Sequence, residues 1–124
     1  MSWYQATIVL KSKSRGCHLV TSEIERQVSE IRNYKIGMAN IFLQHTSASL
    51  CLNENADPDV RKDMEMALNK IPAHVKNAIV GASLNIPVTN GKFNLGTWQG
   101  IYLMEHRNYA SGRRVVVTLQ GEKK

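Results

Sequence analysis

Residues 82–120, ASLNIPVTNGKFNLGTWQGIYLMEHRNYASGRRVVVTLQ, decide the fold class. Four segments in this stretch, 82–89, 92–96, 98–106 and 113–120, are short, rich in branched and aromatic residues, and separated by turn-forming residues, which is the pattern of strands. Asn90-Gly91 lies between the first two, and both residue types accept the positive φ that a tight two-residue hairpin demands. Pro87 has no N–H to give to a ladder, so its strand belongs on a sheet edge or at a bulge. Hairpin links between successive strands make the sheet largely antiparallel.

Upstream, residues 5–11 (QATIVLK) and 35–44 read as two further strands, the second placing Ile41, Leu43 and His45 on one face. Residues 49–53 alternate, with Leu50 and Leu52 on one side and Cys51 and Asn53 on the other. Ser22 followed by Glu25 predicts a capped helix, with Ile24, Val28 and Ile31 inward, Glu23, Arg26 and Glu30 outward, and a stop at Asn33-Tyr34. Asp57-Pro58 opens a second helix, because aspartate accepts from free first-turn N–H groups and proline fits the first position. Val60, Met64, Ala67, Leu68 and Ile71 give it an apolar stripe. Pro72 ends that helix, and 73–81 forms a short third one closed by Gly81. The expectation is an α+β chain: a largely antiparallel β-sheet folded into a sandwich-like layer, with two or three helices packed on it.

At 124 residues, 43% hydrophobic and 21% charged, with no internal repeat, the chain is one domain, 1–124. Sixteen Lys and Arg against ten Asp and Glu leave a net charge of +6, which attracts anions such as phosphorylated small molecules or nucleic acid. A basic, aromatic-studded strand or a recognition helix is missing, so nucleic acid is not the expected partner. Lys11, Lys13 and Arg15, like Arg107, Arg113 and Arg114, read as solvated faces. Cys17 and Cys51 lack metal-type pairing and point to reduced thiols. With no apolar run of bilayer length and no leader-like start, the reading is a soluble cytoplasmic protein with no membrane partner.

The polar stretch 44–59, QHTSASLCLNENADPD, raises the question of a site. Buried polar groups are costly unless partnered. His45 ends a buried strand, His74 opens a short helix, and His106 ends another strand beside Glu105. Three imidazoles and a carboxylate brought to one sheet end are the donor set that zinc or another divalent ion takes. Asp57, Asp59 and Asn55 are explained by capping and turn geometry, whereas Glu54 is not, which makes it a candidate for acid/base work or for holding a cation. In LGTWQG (95–100), Trp98 either stacks on a flat heteroaromatic ring while Gln99 reads its edge, or fills a core corner. Ser47, Ser49 and Cys51 near His45 invite a nucleophile-and-base reading that strand alternation does not support. Neither a glycine-rich phosphate loop nor a nucleophile elbow occurs.

Taken together, QHTSASLCLNENADPDVRKDME (44–65), PAHVKNAIVGASLNIPVTNGKFNLGTWQGIYLMEHR (72–107) and RRVVVTLQGE (113–122) closely resemble the YjbQ-like family, the secondary thiamine-phosphate synthase family. The resemblance implies a homotrimer of α+β, sandwich-like subunits with polar pockets near the subunit boundaries and a bound divalent metal, zinc or magnesium. His45, Asn53, Glu54, His74, Trp98, Gln99, Glu105 and His106 fall on the family's motif positions. It also implies a transferase joining a pyrimidine diphosphate to a thiazole phosphate, with Lys76 and Arg107 neutralising the leaving diphosphate. The alternative is a non-catalytic trimer that holds a metal or an anionic metabolite. One departure stands out: similar members carry a longer segment before PAHVK, with more histidine and acidic residues, where here Lys70-Ile71-Pro72 joins the helix directly.

Overall fold

In the computed structural model, which describes residues 1–124, two antiparallel sheets face each other and three helices flank them. The strands are β1 (Ser2–Leu10), β2 (Gly16–Leu19), β3 (Tyr34–Leu43), β4 (Ala48–Glu54), β5 (Ser83–Thr89), β6 (Lys92–Phe93), β7 (Gln99–Glu105) and β8 (Arg113–Lys123). The helices are α1 (Thr21–Gln27), α2 (Pro58–Leu68) and α3 (Ala73–Val80). The larger sheet runs in the order β1-β8-β3-β5-β6, and the smaller in the order β2-β7-β4. One apolar core fills the space between them, built from alternate residues such as Ile41 and Leu43 of β3, Leu50 of β4, Leu103 of β7 and Val117 of β8. The α+β sandwich expected from the sequence is the observed fold.

Local signals explain most of the elements. Asn90 (φ +49°) and Gly91 (φ +80°) form the tight turn between β5 and β6. Because β6 pairs only with Val88 and Thr89, Pro87 sits where β5 is an edge. Asp57 caps α2, its Oδ1 accepting from the Asp59 N–H at 2.9 Å.

Two local readings are corrected. The predicted helix after residue 22 breaks at Val28 into α1 and a 3₁₀ turn at Ser29–Asn33, and its cap position is Val20, with no side-chain cap. Instead, the Thr21 hydroxyl accepts from the Ile101 N–H at 2.8 Å, so tertiary bonding to β7 starts the helix. Glu23, read as outward, is buried: its carboxylate accepts from the Lys11 N–H at 2.6 Å and from Lys13 Nζ at 2.8 Å, closing the β1–β2 turn.

The two outer faces of the sandwich differ. α2 and α3 cover the small sheet through a second apolar cluster of Cys17, Tyr102 and Met104, against which Cys51, Met64 and Leu68 pack. No residue of α2 is fully buried, so its apolar stripe holds it only lightly. The large sheet's outer face is uncovered. Rows such as Trp3, Gln120, Met38 and Pro87, and Thr7, Val116, Phe42 and Ser83, cross its four main strands, with the charges toward the two ends, Arg114 beside Val9 and Glu122 beside Ile36. Trp3 is 67% exposed and Phe42 45%, large apolar areas for a free surface.

Candidate functional site

β7 separates two polar clusters. Ladder pairing sets Glu54 opposite Gln99 at one end and Ala48 opposite Glu105 at the other. The two ends are six residue steps of extended chain apart, a separation of about 20 Å. The sequence-derived candidates therefore fall into two groups within one chain.

At the Glu105 end, a cleft of about 500 Å³ opens between β2, β7, α2 and α3, its polar lining including Arg15, Lys62, Glu65, Lys76, Glu105 and His106. Lys76 projects from α3 and is only 3% exposed. Its ammonium joins none of the three ion pairs, Lys13–Glu23, Arg113–Glu105 and Lys123–Glu30, and makes no hydrogen bond. Every fully enclosed side-chain polar atom has a partner, so Lys76 Nζ must open onto the cleft. Burial, aided by repulsion from Arg15, pulls its pKa down.

Glu105 is fully committed. Arg113 Nε donates to its Oε1 at 2.8 Å, Arg113 Nη2 donates to Oε2, and the Arg107 N–H adds a bond at 3.3 Å. The Arg107 side chain is exposed on the loop after β7 and does not line the cleft. His106 lies beside Glu105 with Nε2 2.8 Å from the Ser49 hydroxyl. Burial, reinforced by the Lys76 charge, pushes its pKa down to about 4, so the ring is neutral at pH 7.

His45 and His74 flank the loop that leads into β4. The Arg114 N–H donates to His45 Nε2 at 2.9 Å, which places the His45 proton on Nδ1. Burial, with repulsion from Arg113 and Arg114, lowers the His45 pKa. His74 Nδ1 donates to the Thr46 carbonyl at 2.8 Å, leaving Nε2 free at the surface.

His45 bonds to β8 of the large sheet and His74 to the loop before β4, and of the three histidines only His106 lines the cleft; no three His, Cys, Asp or Glu side chains form a group able to hold a metal. Arg113 occupies Glu105, and His45 and His106 each commit Nε2 to a neighbour. Within one chain this donor set does not fit zinc or magnesium. The thiols do not substitute, since burial pushes Cys17 up to about 12 and Cys51 up to about 11.

At the other end the residues serve mainly their own turns. Asn53 Oδ1 accepts from the Glu54 N–H at 2.8 Å, Glu54 Oε1 from the Ala56 N–H at 3.3 Å, and Gln99 Oε1 from the Gly96 N–H at 2.8 Å. Trp98 is 62% exposed rather than a core corner. A Cβ at Gly100 would meet the exposed tip of Leu19, which can give way, and would sit tightly at 3.0 Å from Asn55 Cβ.

Two features of the cleft escaped the sequence. Arg15, read as part of a solvated face, lines the cleft, because Gly16 (φ +137°) turns the chain into β2. Ser49 pairs with His106 rather than His45, a contact between residues 57 apart in sequence. Strand alternation was the available signal: Ser49 shares a face with Cys51 and Asn53 and lies opposite Met104.

Comparison with known proteins agrees with this architecture. The family model described as UPF0047 protein YjbQ-like matches residues 6–72 and 70–122. A UPF0047 protein YjbQ of Escherichia coli O157:H7 is 46% identical over 137 aligned positions, covering 97% of this chain and 99% of that protein. YugU, a UPF0047 protein of Bacillus subtilis, is 40% identical, covering 80% of this chain and 86% of its own length. Among solved structures, a structural-genomics target from C. acetobutylicum superposes with a TM-score of 0.77 at 35% identity, covering 95% of this chain and 98% of its own. A protein of unknown function from Sulfolobus solfataricus P2 reaches a TM-score of 0.79 at 26% identity, covering 98% of this chain and 99% of its own. The alignment with the Escherichia coli protein has more positions than this chain has residues, 137 against 124, and the family match breaks at 70–72. That break is the junction of α2 and α3, beside Leu68 and Asn69 at the cleft wall.

Proposed function

The chain belongs to the UPF0047 YjbQ-like family, and from that membership we propose that it is a thiamine-phosphate-synthase-like transferase acting on small phosphorylated metabolites in the Lys76 cleft. The observation that carries the reading is a buried ammonium without a counter-ion, opening onto a cavity it shares with Arg15 and Lys62. An unpaired buried charge is unfavourable unless something anionic completes it. In the reaction, the methylene–oxygen bond of a pyrimidine diphosphate breaks and its electron pair leaves on pyrophosphate. The thiazole nitrogen then forms the new carbon–nitrogen bond. Lys76 and Arg15 stabilise the charge that develops on the leaving group, and His106 enters the cleft as a neutral ring. Arg107, cast in that role by sequence, is replaced by Arg15.

A second reading, a non-catalytic trimer that binds an anionic metabolite, is favoured by the distance between Lys76 and the Glu54–Trp98 cluster. Pure protein incubated with both phosphorylated substrates decides between them: thiamine phosphate and pyrophosphate appear in equal amounts under the first. Calorimetric uptake of the diphosphate with no product leaves the second. No uptake removes both.

The uncovered face of the large sheet supports self-association as a homotrimer. It offers a partly apolar surface four strands wide whose charges, Arg114 and Glu122, lie toward its two ends. Phe42→Lys and Met38→Lys should each lower the light-scattering mass to that of one chain. A variant mass equal to wild type would place the contact elsewhere. The proposed location is the cytoplasm; no helix is long and apolar enough to cross a membrane.

A further inference from the structure

Resting on the reading that the cleft takes a phosphorylated ligand, we propose that Ser49 is a positioning residue: it donates its hydroxyl proton to His106 Nε2, so that Nδ1–H and the Lys76 ammonium together clamp a phosphoryl group. Ser49 is completely buried on β4, beneath α3. Its hydroxyl has two partners of unequal quality, His106 Nε2 at 2.8 Å and the Lys76 carbonyl at 3.5 Å. Hydroxyl bonds centre near 2.7–2.8 Å, so the hydroxyl gains its better bond by donating to the imidazole; the opposite tautomer, with Nε2–H donating to Oγ, would leave that proton only the 3.5 Å carbonyl.

A neutral imidazole that accepts at Nε2 carries its own proton at Nδ1. His106 Nδ1 has no partner in the protein, and since no enclosed polar atom is left unsatisfied, it faces the cleft beside Lys76. Two donors, one charged and one neutral, then converge on the same cavity. A phosphoryl oxygen accepts from both, whereas a cation is repelled by one and offered no lone pair by the other. Glu105, the nearest carboxylate on β7, is held by Arg113 and does not compete for the ammonium. Glu65, across the cleft, accepts the Cys17 N–H on Oε1 at 2.9 Å and forms no ion pair with Lys76.

The test uses the full-length chain labelled with nitrogen-15 histidine, with His106 assigned by its loss in His106→Gln, and inorganic pyrophosphate as the probe. At pH 7 the His106 ring should show a protonated Nδ1 and a bare Nε2, both free and with pyrophosphate bound. In Ser49→Ala the two tautomers should mix, and the pyrophosphate Kd should rise by the inverse of the Nδ1–H fraction read from the same spectra. A bare Nδ1 in the pyrophosphate-bound wild-type chain overturns the inference. So does an unchanged Kd in a folded Ser49→Ala chain whose tautomers have mixed. Should Ser49→Ala not fold, the wild-type tautomer alone decides. A wild-type chain that takes up no pyrophosphate removes the cleft reading and this inference with it; uptake with the wrong tautomer removes this inference only.

Discussion

The two ends of β7 carry similar residue types and do opposite things with them. At the Glu105 end, side chains are buried, and two of their polar atoms, Lys76 Nζ and His106 Nδ1, are left with only the cleft to face. At the Gln99 end, Asn53, Glu54 and Gln99 are partly or largely exposed and bonded to backbone N–H groups one to three residues away. The proposed site is therefore marked by desolvation without a partner, not by the presence of a glutamate or an amide. A polar side chain that completes its own turn has little left to offer a ligand.

This contrast is sharpest for the buried ion pair. Glu105→Ala strands the Arg113 guanidinium without a counter-ion, and chemical denaturation should show a loss of about 3–5 kcal/mol. At the opposite end, Glu54→Ala should stay within about 0.5 kcal/mol, since only a surface turn bond is lost. Equal losses at the two ends would erase the distinction.

Lys76→Met comes next and has two signs. Removing a desolvated charge should raise stability by about 1 kcal/mol, while pyrophosphate affinity falls by about ten- to a hundred-fold, the worth of one charged contact. A destabilised variant that still binds would show that the ammonium is structural. Smaller again is the effect of acid. His106 takes its proton below pH 6.5 when unfolded but only below about 4 when folded, so the unfolded chain gains protons first as pH drops. Melting temperature should fall from pH 6.5 to 4 and lose this contribution's slope beneath that. His106→Gln should flatten the window, and raising the wild-type folded pKa with bound pyrophosphate should narrow it. Least affected is Trp98→Ala: with a ring already largely in water, stability and pyrophosphate Kd should both be nearly unchanged.

What could be read from sequence follows the range of the forces involved. Asn90-Gly91 and Asp57-Pro58 announce their turn and helix start through bonds within a few residues, and both appear where expected. β3 and β4 show in their apolar runs because burial acts on every alternate residue. Glu23 was misplaced because helical spacing does not reveal that Lys11 and Lys13 fold back over it. The Ser22–Glu25 cap lost to a hydroxyl bond from Thr21 to a strand 80 residues away. The candidate site was half legible. Of the three histidines expected at one sheet end, His106 alone lines the cleft, and the Arg113 that consumes Glu105 and the Ser49 that holds His106 come from separate strands. Pairing across strands decides which donors stay free, and spacing along a single chain does not encode it.

The β5–β6 turn also bears on how the protein ages chemically. An asparagine before glycine sheds ammonia when the glycine nitrogen attacks the amide carbon. Here that nitrogen donates its hydrogen to the Tyr34 carbonyl at 2.8 Å, and the Asn90 N–H is held by Lys35 O at 2.8 Å. Ring closure must wait until the hairpin tip lifts off β3, so the slow conversion of Asn90 to aspartate becomes a clock for how often that corner opens.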